Sequence, residues 1–89
     1  MTQVFAKDCA AFGIRCNAVL PGLTDTKFAS ALTQNEDILK NVLSMIPAGR
    51  MAQPGEIAPA VLFLASPAAA YVTGTTLTVD GGIIGAGGL

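Results

Sequence analysis

A proline, a glycine and two threonines within six residues are the part of this sequence best suited to binding chemistry. They are Pro21, Gly22, Thr24 and Thr26. Proline fixes a turn, glycine lets the backbone approach a ligand, and a hydroxyl at a helix start can bind an anion beside free N–H groups. A plain strand-to-helix turn with a Thr or Asp cap explains the same residues, so the residues alone leave both interpretations open.

Residue types that carry many other chemistries are missing or scattered. The 89 residues contain no histidine, which is the commonest general base and metal ligand. Cys9 and Cys16 have no second pair, so we predict no metal site and interpret both as small buried apolar side chains. The five Lys and Arg residues are dispersed and the net charge is −1. We therefore expect no nucleic-acid partner.

An uncharged stretch over residues 57–79 is long enough to cross a bilayer. Pro59, Pro67 and Gly74 interrupt it, and an interrupted helix would leave backbone groups unsatisfied in lipid. A buried helix, a turn and a buried strand are the preferred interpretation, with no membrane partner. Since the first eight residues lack the apolar run of a secretory signal, we expect a cytoplasmic protein with reduced thiols.

The composition indicates part of a domain. Hydrophobic residues make up 52% of the chain and charged residues 12%, which is about half the usual charged share. A globule of this size buries only around 60–65% of its unfolded surface and needs polar residues to cover the rest. We expect a piece of a larger domain.

Apolar spacing and chain breakers predict the order of elements. They are a helix over 2–11, a strand over 14–20, short helices over 26–32 and 36–45, a helix that starts within 53–56 and closes at Ser66-Pro67, a strand over 75–79 and a loop after Asp80. Strand, helix and strand form a parallel βαβ crossover. Two strands make a weak sheet with an exposed edge, so further strands are expected beside the first.

The two short helices leave the carboxyl end of the first strand, where lids over ligand crevices form in open α/β sheets. The candidate lid side chains are Phe28, Leu32, Leu39, Val42 and Leu43. Such spacing is also typical of core packing, so both roles stay open.

Three more polar side chains have structural interpretations. Asn17 is expected to satisfy nearby backbone in a buried strand. Arg50 either braces a neighbouring carboxylate or is solvated. Tyr71 is expected to pack its ring and to find a hydroxyl partner at the surface.

Four motifs resemble one known family, the short-chain dehydrogenases/reductases. Residues 14–22, IRCNAVLPG, followed by Thr26, resemble its IRVNAVAPGxxxT segment. Residues 49–58, GRMAQPGEIA, look like its GRxxxPEEIA segment, and the later runs are similar to its ending, FLAS at 63–66, YVTG at 71–74 and VDGG at 79–82. Each motif is weak alone, but their shared order and spacing make the resemblance specific.

The resemblance implies an α/β fold, the C-terminal segment of a doubly wound, parallel-sheet Rossmann-type domain. It would hold one βαβ unit with the preceding helix and the lid helices. In this scheme residues 1–13 are the tail of the catalytic helix and 14–22 the strand and cofactor turn. Residues 23–50 are the substrate lid, and 51–89 the helix, last strand and C-terminal loop.

The resemblance also implies hydride transfer between NAD or NADP and an alcohol/carbonyl pair. Pro21 and Gly22 would form the cofactor turn, with Pro21 packed on the nicotinamide ring. The backbone at Thr24 would meet the carboxamide, and the Thr26 hydroxyl would donate to cofactor oxygens. The substrate would be a small alcohol or ketone, and the full-length enzyme a homodimer or homotetramer.

The family's catalytic Tyr-x-x-x-Lys and glycine-rich turn have no counterpart here. Tyr71 is the only tyrosine, and Thr75 stands where the lysine would be needed. We therefore assign no catalytic residue, place that pair before Met1, and predict that the isolated chain is inactive. The alternative is a non-catalytic short product that acts as an interaction or oligomerisation module.

Overall fold

A computed structural model of the protein describes residues 1–27 and 34–86. The elements in these ranges are α1 (Thr2–Ala10), β1 (Ala18–Pro21), α2 (Glu36–Ser44), α3 (Pro54–Ala65), a 3-10 turn (Pro67–Ala69), β2 (Thr76–Val79) and α4 (Ile83–Ala86). The predicted helix over 26–32 lies almost wholly outside the described residues, and with it Phe28 and Leu32.

The two strands form a parallel pair with α3 between them in the chain. Their register runs from Ala18 opposite Thr76 to Pro21 opposite Val79. The sheet has two strands within the described residues, so one edge of β1 faces away from β2. The predicted βαβ unit is confirmed, and the fold is α/β.

The first strand starts later than predicted. The strand was expected over 14–20, but its regular part begins at Ala18. Before that point, the Cys16 N–H donates to the Thr73 side chain at 3.1 Å and the Cys16 carbonyl accepts from Gly74 N at 2.8 Å. Gly74 has a φ of 76°, so the segment that faces Cys16 turns there. This turn prevents a regular ladder of backbone hydrogen bonds before Ala18.

The chain after Asp80 is partly helical, where a loop was predicted. Asp80 Oδ1 accepts a hydrogen bond from Gly82 N at 2.9 Å, and Oδ2 accepts one from Ile84 N at 3.1 Å. A carboxylate on the first N–H groups starts a helix, and this cap explains α4.

Two further helices, α2 and α3, begin where their capping residues place them. Asn35 Oδ1 accepts from Asp37 N at 2.9 Å and starts α2. Pro54 stands at the start of α3, where its missing N–H costs nothing, and Glu56 Oε1 accepts from Gln53 N at 2.9 Å. α3 continues through Pro59.

The described part of the chain buries few side chains. Ala6, Ile46, Leu64 and Ala69 are buried, and exposed large apolar side chains include Phe12, Ile14, Leu62 and Tyr71. The accessible surface is 6273 Å², against about 4,900 Å² for a compact monomer of this mass. Large apolar side chains contribute to this surface.

Two expectations for single side chains are wrong. Tyr71 is fully exposed, because the residues around it form a surface turn, and no packed ring results. Cys9 and Cys16 are free thiols and only half-buried, because few side chains of the described part are fully enclosed.

Among residues 1–27 and 34–86, no helix combines the length and the apolar character needed to cross a membrane.

Candidate functional site

The candidate turn lies at the carboxyl ends of both strands. Pro21 is opposite Val79, and Gly22 N donates to the Val79 carbonyl at 2.8 Å. In open α/β sheets, ligands bind outside the carboxyl ends of the strands. The fold therefore places Pro21 and Gly22 at the end of the sheet where a ligand crevice is expected.

Pro21 fits its position because its nitrogen faces away from β2. Ala18 N donates to the Thr75 carbonyl at 3.0 Å and Gly22 N to Val79, so the even-numbered residues of β1 bond to β2. The backbone of Val19 and Pro21 then faces the other edge, where a proline removes no ladder bond. The exposed Pro21 ring offers a rigid apolar surface there.

Gly22 is required by close packing. A Cβ at this position would lie 2.6 Å from Asp80 Cα and 2.8 Å from Asp80 Cβ. This glycine therefore makes a close approach to the backbone that follows β2, which places the turn against the end of that strand; its predicted approach to a ligand stays a prediction.

Thr24 is held between the two chain segments that flank the turn. Leu23 O accepts from Ala52 N at 3.0 Å, and Asp25 N donates to Ala52 O at 2.7 Å. In this parallel bridge the N–H and C=O of Thr24 itself point away from Ala52. The Thr24 hydroxyl donates to Gly22 O at 3.2 Å, and Thr26 is exposed at the end of the turn.

Arg15 ties the start of β1 to the end of α3. Its Nη1 donates to Leu64 O at 2.8 Å and to Val72 O at 3.1 Å, and its Nη2 donates to Ser66 O at 3.4 Å. A guanidinium satisfies the free carbonyls at a helix C-terminus and interacts well with the helix dipole. Sequence reasoning did not assign this role; the cation two residues before Asn17 was the available signal.

Asn17 continues this attachment on the same side of the chain. Its Nδ2 donates to Val72 O at 2.9 Å, and its Oδ1 accepts from Thr75 N at 3.1 Å. Both ends of the amide are thus satisfied by backbone. The predicted structural role of Asn17 agrees with these contacts. We call Arg15 and Asn17 together the β1 clamp.

The turn after β2 joins the candidate site to the base of the lid. Ile46 is buried, and Ala48 N donates to Gly81 O at 3.0 Å. A Cβ on Gly81 would come within 2.9 Å of Ile46 Cγ2. Asp80, which contacts Gly22, therefore adjoins the segment that anchors α2.

The candidate lid side chains on α2 lie on one face of the helix. Leu39, Val42 and Leu43 are half-buried there. A cavity of about 160 Å³ separates the lid base from the strand ends, with Leu23, Ile46 and Asp80 in its lining. A second, apolar depression of about 150 Å³ lies beside Pro21 and Gly22. Both predicted roles of the lid side chains, substrate binding and core packing, are compatible with these positions.

An exposed ion pair lines the cavity of about 160 Å³. Arg50 donates to both Glu56 carboxylate oxygens, at 2.6 and 2.7 Å. These bonds, together with the bond from Gln53 N, hold the pKa of Glu56 at about 2. Arg50 therefore braces a carboxylate, one of its two predicted roles.

Within the described ranges, no group of three His, Cys, Asp or Glu side chains could hold a metal ion.

Comparison with known proteins gives consistent matches along the chain. Residues 1–84 match the family model described as Enoyl-(Acyl carrier protein) reductase. The chain is 49% identical over 82 residues to the 3-oxoacyl-(acyl-carrier-protein) reductase FabG of Vibrio harveyi, covering 92% of this chain and 33% of that protein.

Solved structures also match this chain over most of its length. A candidate 2-deoxy-D-gluconate 3-dehydrogenase from Agrobacterium tumefaciens, with bound NADP, is 43% identical with a TM-score of 0.89, over 93% of this chain and 34% of the other. A short-chain type dehydrogenase/reductase from Mycobacterium ulcerans is 31% identical with a TM-score of 0.87, over 93% and 30%. The chain thus spans about a third of the length of the relatives it matches.

Proposed function

The chain belongs to the short-chain dehydrogenase/reductase family, and we propose that it is the C-terminal third of an NAD(P)-dependent oxidoreductase. This segment would contribute the turn beside the nicotinamide, the substrate lid and part of the subunit contacts. The reaction would be hydride transfer between the nicotinamide cofactor and a small alcohol or ketone.

The position and bonding of the turn carry this proposal. Pro21 and Gly22 stand at the carboxyl ends of both strands, and Ala52 braces the residues on each side of Thr24. A relative with the same fold over these residues contains NADP. A turn that is held in place at the carboxyl ends of the strands is suited to contact a cofactor.

The residues of the turn fit a nicotinamide carboxamide. A carboxamide presents one donor group and one acceptor, and the N–H and C=O of Thr24 face away from the Ala52 bridge. The exposed ring of Pro21 would pack on the flat face of the nicotinamide, and the exposed Thr26 hydroxyl would bond to cofactor oxygens. The cofactor supplies the hydride chemistry.

The proton chemistry belongs to residues outside this chain. No tyrosine is followed four residues later by a lysine, and there is no histidine. We propose that the isolated 89-residue chain is inactive. Incubating it with NADH or NADPH and a panel of ketones checks this, and turnover above the blank contradicts it.

A chimera tests the proposed role of the turn. In this chimera, the present chain replaces the matching third of the V. harveyi reductase. Catalysis is expected to survive the exchange, and Thr26→Val should raise the KM for the nucleotide about tenfold, since one hydrogen bond is lost. Thr76→Val, at an exposed strand position, is the matched control.

A folded chimera without nucleotide binding would contradict the proposal. Equal KM values for the Thr26 and Thr76 variants would remove Thr26 from the cofactor site while leaving the rest of the turn in place.

The remaining assignments follow the family. We propose a homodimer or homotetramer for the full-length enzyme and a cytoplasmic location, in keeping with the free thiols of Cys9 and Cys16. The relatives named above act on different carbonyl compounds by their names, so the substrate is proposed at the level of an alcohol/ketone pair.

A second candidate function is a non-catalytic interaction module, which is favoured because one edge of β1 has no neighbouring strand among the described residues. The DNA upstream of the Met1 codon discriminates between the two. An in-frame Tyr-x-x-x-Lys motif and glycine-rich turn support the oxidoreductase segment. A translation start signal at Met1 supports the module.

A further inference from the structure

The backbone of Ala52 is the direct support of the candidate cofactor turn. Its N–H donates to Leu23 O at 3.0 Å, and its C=O accepts from Asp25 N at 2.7 Å. Thr24 lies between these two bonds, and its own N–H and C=O point away from Ala52. The position of the Thr24 backbone therefore depends on what fixes the backbone of Ala52.

A single carboxylate ties down the chain on both sides of Ala52. Glu56 Oε1 accepts from the N–H of Gln53, the residue directly after Ala52, at 2.9 Å. Both oxygens of Glu56 accept from the guanidinium of Arg50, two residues before Ala52, at 2.6 and 2.7 Å. Arg50 also donates to Met51 O at 3.3 Å. The loop around Ala52 is thus held onto the first turn of α3.

The geometry of this attachment suits a fixed support. A guanidinium that meets both oxygens of a carboxylate fixes the orientation of the pair as well as its distance. Glu56 stands in the first turn of α3, where the helix dipole favours a negative charge. The pKa of Glu56 is about 2, so its side chain is a charged carboxylate at neutral pH. All of these contacts are made within residues 50–56.

Helix capping alone does not explain the ion pair. A capping box uses bonds between Gln53 and Glu56, and these bonds would form without Arg50. Arg50 adds a tie on the other side of Ala52, which the start of the helix does not need. Gln53 Nε2 also donates to Asp25 Oδ2 at 3.4 Å, so the same loop contacts the turn through a side chain as well.

We propose that Glu56, acting through Arg50 and Ala52, is a positioning residue for the nicotinamide, because it holds the Thr24 backbone where the carboxamide binds. The assignment rests on the proposed oxidoreductase function and extends it to a residue outside the turn. Glu56 itself touches neither the cofactor nor the substrate. We call Arg50, Ala52 and Glu56 together the turn support.

Loss of the turn support should weaken nucleotide binding without slowing the chemical step. A turn that samples several positions binds only from the right one, and the apparent affinity falls in proportion to the time spent there. Once the nucleotide is bound, its own contacts hold the turn. The loss is therefore shared by the bound state and the transition state, which raises KM and leaves kcat unchanged.

Three variants of the chimera with the V. harveyi reductase test the proposal. Glu56→Ala removes every bond to the carboxylate and should raise the KM for the nucleotide about tenfold, with kcat unchanged. Glu56→Gln keeps an oxygen for Gln53 N, and Arg50→Met removes only the bonds of the guanidinium. Each of these two should raise the same KM about threefold. They decide the matter if Glu56→Ala fails to fold.

Ser66→Ala is the matched control at the other end of α3. It removes the hydrogen bond from Ser66 Oγ to Phe63 O, which is 2.7 Å long, and so loosens the same helix away from Ala52. The KM for the nucleotide should stay unchanged in this variant.

A nucleotide fragment without the nicotinamide provides the second readout. ADP-ribose, or its 2′-phosphate where the chimera uses NADPH, competes for the nucleotide site but has no carboxamide to meet Thr24. Its inhibition constant should be unchanged in all variants, because the turn support acts at the nicotinamide end. A general loosening of the protein would weaken the binding of both the fragment and the whole nucleotide.

Three results would overturn the proposal. They are equal KM values in Glu56→Ala and Ser66→Ala, an inhibition constant for ADP-ribose that rises in step with KM, and a kcat that falls while KM is kept. If Thr26→Val still raises KM in the same chimera, the proposed function stands and only the role of Glu56 is wrong. A folded, unaltered chimera that binds no nucleotide would contradict the proposed function, and the role of Glu56 with it.

Discussion

At the scale of single residues, Gly22 shows how the ends of the two strands determine the turn. Its Cα rests against the backbone of Asp80, so the site has no room for a side chain. Gly22→Ala should lower the free energy of unfolding by about 1–3 kcal/mol, because the new Cβ overlaps backbone atoms that cannot move aside freely. Urea unfolding followed by far-UV circular dichroism measures this change.

Gly55→Ala is the matched control, since nothing lies within 4 Å of a Cβ at that helical position. It should leave stability unchanged or slightly raised. Equal losses for the two variants would show that Gly22 is not closely packed.

The pair of Arg50 and Glu56 gives the chain one defined dependence on pH. The folded pKa of Glu56 is about 2, below its ordinary 4.5. A lowered folded pKa contributes stability that is present above the unfolded pKa and lost as the pH falls through the folded pKa. The contribution should therefore be complete at pH 6 and fade between about pH 5 and pH 2.

Glu56→Gln should remove that part of the acid sensitivity. Urea midpoints of both proteins across this pH range measure it, and Asp8→Asn, on the exposed side of α1, is a control that should keep the slope. Because the pair is exposed, the effect is small and decreases with salt. A Glu56→Gln variant with an unchanged acid slope would contradict the assignment.

At the scale of elements, the β1 clamp holds the strand that carries the turn. Arg15 bonds to three carbonyls of the segment that leaves α3. Arg15→Met keeps the apolar stem but removes the donors, and it should cost about 2 kcal/mol. It should also speed hydrogen exchange at Gly74 and Thr75, whose N–H groups bond to residues of the β1 start.

Lys7→Met changes an exposed cation on α1 and provides the comparison. It should alter neither the stability nor the exchange at these two amides. Unchanged exchange in Arg15→Met would show that the clamp does not hold the loop in place.

The elements that the sequence predicted well are those with local causes. α2 begins directly after Asn35 and α3 begins at Pro54, and both starts agree with the prediction to within a residue or two. Two elements differ from the prediction. The start of β1 depends on a distant feature, the turn at Gly74, whereas α4 depends on a local cap, the Asp80 carboxylate, within a glycine-rich segment that was interpreted as a loop.

At the scale of the whole molecule, the imbalance between the small core and the large apolar surface sets the behaviour of the isolated chain. If copies of the isolated chain cover one another's exposed apolar side chains, such as Phe12 and Leu62, folding is linked to association, and stability rises with concentration by mass action. The melting temperature should therefore increase from low to high micromolar concentration, as calorimetry at several concentrations would show. A concentration-independent, cooperative melt would indicate a self-sufficient monomer.

The sequence by itself determined the family, the α/β class, the succession of β1, α3 and β2 and the position of Pro21 and Gly22, because periodicity, caps and motifs act over a few residues. Only the tertiary structure decided that Gly22 packs on Asp80, that Arg15 holds the end of α3, that Tyr71 is exposed and that the backbone groups of the odd-numbered residues of β1 face away from β2. These features depend on contacts between segments about 50 residues apart in the chain. The type of a residue does not indicate which distant segment it contacts, since an Arg or a Gly is equally compatible with a solvated loop.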